Sequence, residues 1–207
     1  MKLYPDIQTA EQIWKEGYNY RVATSEFKNK EEYIFHTKGV AEAASQLAAK
    51  TPYLNTEKAY VLGLLHDYGK KYNEFASGIF HAQAGYEYFL ENNYPDVARI
   101  CLSHGFPCAD FHDSDYTCYP PRWLNWAREK LKNYVYDDYD RLIQLCDLFF
   151  EGMSKVCFEK RFEGIARRYN LNAETQKLQK IWANKNKQYF DKLCGEDVYN
   201  ILNIEDI

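Results

Sequence analysis

The sequence contains no apolar run of the roughly 18 residues that a membrane-spanning helix requires. Its first residues, MKLYPDIQTAEQIWKEG, hold no apolar segment of the kind that drives export. There is no CxxC pair: the six cysteines stand at 101, 108, 118, 146, 157 and 194. Without an export signal, the expectation is reduced thiols in a cytoplasmic protein. Excess positive charge is also missing. The formal net charge is −4, from 26 Lys and Arg against 30 Asp and Glu. That balance argues against a long nucleic-acid partner, which is held largely through phosphates. It leaves room for a small anion, because a few local cations suffice. Internal repeats, low-complexity stretches and strand-like alternation are absent. Histidine is scarce, with five in 207 residues, so the places where it does occur carry weight.

What the chain does have is enough apolar material for a core. Hydrophobic residues make up 46%, including 19 tyrosines and 12 phenylalanines, and charged residues make up 27%. The length suits one domain. Apolar spacing predicts helices almost throughout. A short one over 8–17 has Thr9 as its candidate N-cap. A longer one over 30–50 places Tyr33, His36, Val40, Ala43, Ala44 and Leu47 on one face. Asn55 is placed to cap a helix over 56–67, and Pro95 to open one over 95–104. Others are expected over 81–92, 121–134, 138–151, 157–169 and 173–193, with a last one near 196–203. Residues 105–121, GFPCADFHDSDYTCYPP, have no period and read as a long surface loop. The expected architecture is all-α, a compact bundle of short helices. An N-terminal helix over 1–25 packs on a main domain over 26–170, and 171–207 form a helical extension of it.

Chemistry concentrates in GLLHDYGK, residues 63–70. His66 and Asp67 are adjacent at the end of an apolar helix. Leaving either buried and unpaired would cost on the order of 1–3 kcal/mol. A divalent metal is one partner that meets this need, and an aspartate can bridge two metals through its two oxygens. His36 lies mid-helix on an apolar stripe, His81 opens a helix and His104 closes one. Asp147 sits inside LIQLCDLFF, where an unpaired carboxylate is expensive. Taken singly, each has a plainer reading. The histidines could be satisfied core residues, and Asp147 could pair with Arg141 or cap a neighbouring helix.

The order H…HD…H…H…D resembles the HD superfamily of metal-dependent phosphohydrolases. The segments that carry the likeness are EEYIFHTKGVAEAASQLA, VLGLLHDYGK, IFHAQAGYEYF, ARICLSHGF and DRLIQLCDLF, spread over about residues 30–170. The string FEKRFEGIARRYN, 158–170, looks like the tail of bacterial members of similar size. The resemblance implies the HD fold, with His36, His66, Asp67 and Asp147 on one metal. It also implies a second metal held by His81 and His104, with Asp67 bridging. The ions expected are iron or manganese ahead of zinc, nickel, cobalt or magnesium. Asp67 and Lys70 would be the catalytic residues. Lys70 resembles the lysine that meets substrate phosphate in HDxGK members, its alternative being a solvated helix-end lysine beside Lys71.

The activity implied is hydrolysis, by a metal-activated hydroxide, of a phosphoester or phosphoanhydride in a nucleotide or other small phosphorylated metabolite. Two other readings stay open: a di-iron oxygenase of the same fold, and a non-catalytic nucleotide sensor. No membrane or long nucleic-acid partner is expected, and a homo-oligomer is compatible with the sequence. Local alternatives also remain. Cys101, His104, Cys108 and His112 spell a possible zinc site. His112, with Asp113 and Asp115, could line the substrate entrance or be plain surface. Lys160, Arg161, Arg167 and Arg168 could contact phosphate, or form a solvated face beside Glu159 and Glu163. Tyr18, Tyr20, Tyr68 and Tyr72 could stack a base or edge the core.

Overall fold

The computed structural model of the chain describes residues 2–24, 29–116, 118–169, 171 and 173–205. It is all-α apart from one two-stranded hairpin. In order, the helices are α1 (Ile7–Thr24), α2 (Lys30–Ala49), α3 (Thr56–Leu65), α4 (Glu74–Ser77), α5 (His81–Glu91) and α6 (Pro95–Ser103). They continue with α7 (Pro121–Leu131), α8 (Asp138–Asp147), α9 (Phe158–Tyr169), α10 (Ala173–Cys194) and α11 (Val198–Leu202). Short 3-10 turns cover Tyr68–Lys71 and Asp113–Tyr116. Strands β1 (Phe150–Glu151) and β2 (Ser154–Lys155) pair antiparallel between α8 and α9. No helix among the described residues is long and apolar enough to cross a membrane, and all six cysteines are free thiols.

At the centre, α2 lies along α3, and α8 packs on both. The buried face of α2 is built of small residues, Ala41, Ala44 and Ala48, with Val40 and Leu47. That lets the α3 backbone approach closely and sets His36 opposite His66. Leu47, Leu62 and Leu142 are fully buried in this core, each contributing about 1.5–3 kcal/mol. Trp14 of α1 joins through its indole N–H, which donates to Thr37 Oγ1 at 2.9 Å. The chain end returns to the same core through Val198, Leu202 and Ile204.

Several boundaries differ from the sequence reading. Helix α1 runs on to Thr24, and its cap is Asp6, whose Oδ1 accepts from Thr9 N at 2.8 Å. Asn55 does cap α3, accepting from Lys58 N, and Pro95 does open α6. Helix α3 stops at Leu65, so the His66–Asp67 pair lies in the turn beyond it. Helix α8 ends at Asp147, because the following LFF residues turn into the hairpin. The segment 105–121 is less open than expected. Phe106 and Phe111 are buried with Phe80, Trp123 and Leu124 in a second, aromatic core. Phe80 stacks on Trp123 with centroids 5.0 Å apart.

Two local devices place the site. Gly69 packs so tightly on α5 that a Cβ there would lie 1.8 Å from the His81 carbonyl oxygen; only glycine lets the turn after Asp67 dock against the start of α5. Asp140, with no solvent exposure, ties α6 to α8. It closes a capping box with Asp137 at the start of α8. Its carboxylate also accepts from the Arg99 guanidinium, from Ser103 Oγ at 2.6 Å and from Tyr134 Oη at 2.8 Å. Gln144 Nε2 adds a bond to Ser103 O at 2.9 Å. These links hold the end of α6 beside α8. Asp140→Ala leaves the buried Ser103 hydroxyl and the Tyr134 hydroxyl without their acceptor and Arg99 with Asp137 as its carboxylate partner, and is expected to cost about 1–3 kcal/mol in urea unfolding; a loss below about 0.5 kcal/mol contradicts the clamp.

Candidate metal centre

The residues of the H…HD…H…H…D pattern come from five helices and meet at one point. His36 reaches in from the middle of α2, and His66 and Asp67 from the turn after α3. His81 is the first residue of α5, His104 follows the last residue of α6, and Asp147 ends α8. Terminal positions recur because there a side chain can leave the helix and turn inward without displacing a neighbouring turn.

The Nε2 atoms face the centre while Nδ1 is held from behind. His66 Nδ1 donates to Gly63 O at 2.6 Å, and His104 Nδ1 to Ile100 O at 3.0 Å. His81 Nδ1 donates to Glu74 Oε2 at 2.5 Å, and the same oxygen accepts from His81 N. Fixing a proton on Nδ1 turns Nε2 inward, the atom a neutral ring would offer to a metal.

Asp67 is the hub. Its Oδ2 lies 3.5 Å from His36 Nε2 and 3.4 Å from His66 Nε2. Its Oδ1 lies 3.3 Å from His104 Nε2 and 4.0 Å from His81 Nε2. Asp147 Oδ1 joins the first side, 3.0 Å from His36 Nε2 and 3.7 Å from His66 Nε2. Two potential ion-holding groups result, His36–His66–Asp67 and Asp67–His81–His104, sharing Asp67.

Charge and burial explain why this arrangement calls for a cation. Burial should raise the Asp67 carboxyl, yet Lys70 and His66 hold it well below the usual carboxylate range. Burial should also discharge His66, but Asp67 and Asp147 override it and push its pKa up to about 10. His104 goes the other way, lowered by burial. Asp67 Oδ1 is buried and makes no aligned hydrogen bond, an expensive state for a carboxylate oxygen. An orphaned oxygen facing two imidazole lone pairs fits a divalent ion, and mixed nitrogen and carboxylate donors suit a transition metal.

Lys70 Nζ lies 2.7 Å from Asp67 Oδ2. It borders a cavity of about 240 Å³ that also exposes His36 and Asp67. His112 is not brought to the site: it is exposed, its N–H bonds to Asp115 Oδ2, and it lines neither cavity at the centre. The possible zinc set also separates. Cys101 is buried with its thiol toward Leu65 O, and among the described residues no ion-holding group includes Cys101, Cys108 or His112. Arg141 pairs with Asp138, leaving Asp147 to the histidines.

Of the basic patch at 160–168, Arg161 stands within 3.9 Å of Asp147. The sequence reading missed two residues: Glu74, which orients His81, and Trp182 of α10, which lines a second cavity of about 200 Å³. That cavity opens from His104 and Asp147 and is walled by Tyr116, Tyr119 and Tyr169. Of the tyrosines singled out earlier, Tyr68 packs on Tyr88 and Phe89, and Tyr18 stacks on Trp14. Glu74→Gln removes the carboxylate behind His81 and is expected to weaken Mn(II) binding about 10- to 100-fold on the His81–His104 side alone. Calorimetric titration that shows an unchanged isotherm contradicts this role.

Comparison with known proteins agrees with the geometry. The family model of the HD domain matches residues 33–149, more than half of the chain. Neither curated proteins nor solved structures provide a match. The matched span contains all six residues of the centre, and the HD domain together with the two His–Asp clusters suggests a metal-dependent hydrolase that binds divalent metal. The chain belongs to the HD domain family.

Proposed function

We propose that this protein is a phosphohydrolase that uses two divalent ions, iron or manganese, to cleave a phosphoester or phosphoanhydride of a small phosphorylated metabolite, with nucleotides as the first class to test. The observation that carries the reading is the division of Asp67, with one oxygen toward His36 and His66 and the other, orphaned, toward His81 and His104. In this reading His36, His66, Asp67 and Asp147 hold one ion, and Asp67, His81 and His104 hold the other. When bound, such ions polarise phosphoryl oxygens and lower the pKa of water.

The chain's own residues supply the rest. Glu74 and the carbonyls of Gly63 and Ile100 keep three imidazoles aimed inward. The Lys70 ammonium, at the edge of the cavity, is placed to turn from Asp67 toward an incoming phosphate. On the other side, the cavity walled by Tyr116, Tyr119, Tyr169 and Trp182 also presents the amides of Gln144 and Asn186. Flat aromatic walls with a few amides suit a planar heterocycle such as a nucleobase, which is what favours a nucleotide over a plain sugar phosphate.

The test is phosphate release from a panel of nucleotides, dinucleoside polyphosphates and phosphate monoesters by protein loaded with Mn(II) or Fe(II). Turnover of at least one member is expected, with Asp67→Ala at background. Lys70→Ala is expected to lower kcat/KM about 10- to 100-fold. An absence of turnover across the panel with metal-saturated protein contradicts the proposal.

A further inference from the structure

Two arginines of α9 reach the wall of the site. Arg161 and Arg168 line both cavities that flank the centre. The Arg161 side chain is only 16% exposed. One edge of its guanidinium is committed, because Nη1 donates to Glu151 Oε2 in β1. Arg168 donates to both oxygens of the same carboxylate. Between them on the helix lies Gly164, where a Cβ would collide with the Glu151 carboxylate. The face of α9 is thus hollowed to accept this one carboxylate between two guanidiniums, and one positive charge remains in excess.

The other edge of Arg161 is uncommitted. Its Nε is buried and has no hydrogen-bond partner. Its Nη2 stands 3.9 Å from Asp147 Oδ1, outside hydrogen-bond reach. Nε and Nη2 together form the planar fork that takes two oxygens of a phosphate or carboxylate. A buried donor without an acceptor is costly, and an oxyanion at the centre would relieve it. Lys70 and Arg168 border the same cavity as this fork, together with His36 and Asp67.

We infer that the Nε–Nη2 edge of Arg161 seats the phosphoryl group of the substrate against the metal centre and selects a terminal phosphoryl over an internal phosphodiester. This rests on the phosphohydrolase reading. A terminal phosphoryl has three non-bridging oxygens, so two can engage the fork while the third faces Asp67 and Asp147. A diester has two, and the fork would occupy both. The dianionic charge of a terminal phosphoryl also matches a cavity bordered by Arg21, Lys70, Arg161 and Arg168 better than a monoanionic diester does. Glu151 fixes the plane of the guanidinium from its far edge, so the fork is set before substrate arrives.

The test is calorimetric titration of Mn(II)-loaded protein with inorganic phosphate and with dimethyl phosphate, comparing the native chain with Arg161→Ala and Arg161→Lys. The native protein is expected to prefer phosphate by about 10-fold or more, and Arg161→Ala to weaken phosphate binding about 10- to 100-fold, the change that follows from losing one bidentate charge-assisted contact. Dimethyl phosphate, whose two non-bridging oxygens can meet either the fork or the metal centre but not both, should lose less. Arg161→Lys keeps the charge without the fork and should lose most of the preference; it also serves if the alanine variant folds poorly. Manganese content should stay at the native level in both variants. Equal phosphate affinity in native and Arg161→Lys protein, or loss of manganese from the variants, overturns the role of Arg161. Failure of the native protein to bind phosphate at all overturns the phosphohydrolase reading itself.

Discussion

A buried carboxylate shared among four imidazoles organises this molecule. Asp67 is 1% exposed, ringed by the imidazoles of His36, His66, His81 and His104, and one of its oxygens has no aligned donor. Among the protein's own groups, Lys70 and a proton on His66 balance the charges of Asp67 and Asp147. A divalent ion on each side of Asp67 would take the place of the His66 proton, meet the orphaned oxygen and bring positive charge to a protein whose net charge is −4. The mildly acidic composition is therefore no obstacle to phosphate chemistry at the one place where the charge is needed.

The rest of the fold can be understood as the means of holding five helices in register around that carboxylate. The alanine face of α2 brings His36 to His66, and Gly69 brings the Asp67 turn onto the start of α5, where His81 stands. The Asp140 clamp keeps α6 against α8, and with them His104 and Asp147. None of these three devices contributes a side chain to the centre, yet each sets a distance within it. Helix α9 and the hairpin then close the remaining wall with Arg161, Arg168 and Glu151. Binding, orientation and charge are thus contributed by different layers of the chain.

The members of the centre were legible in the sequence because their chemistry requires particular residue types, and because polar residues in strings such as VLGLLHD and LIQLCDLFF stand out against apolar neighbours. The helical character was legible for the same reason, through apolar spacing. What escaped depends on contacts between distant segments. Asp140 reads as a polar residue of an amphipathic first turn, and its partners Arg99 and Ser103 lie about forty residues away. Arg161 sits among Glu159, Lys160 and Glu163, which suggests a solvated face; its actual partner is Glu151 across the hairpin. Glu74 carried only the weak signal of a carboxylate seven residues before a histidine. The aromatic packing of residues 105–121 was hidden by prolines and aspartates that look like open loop.

The central claim is that Asp67 divides its two oxygens between two metal positions. Anomalous diffraction from crystals saturated with Mn(II) measures this directly. The account predicts two peaks, one on each side of the Asp67 carboxylate and about 3.5–4 Å apart, with His36 and His66 at one and His81 and His104 at the other. A single peak at saturating metal, with His81 and His104 turned away from it, would contradict the account.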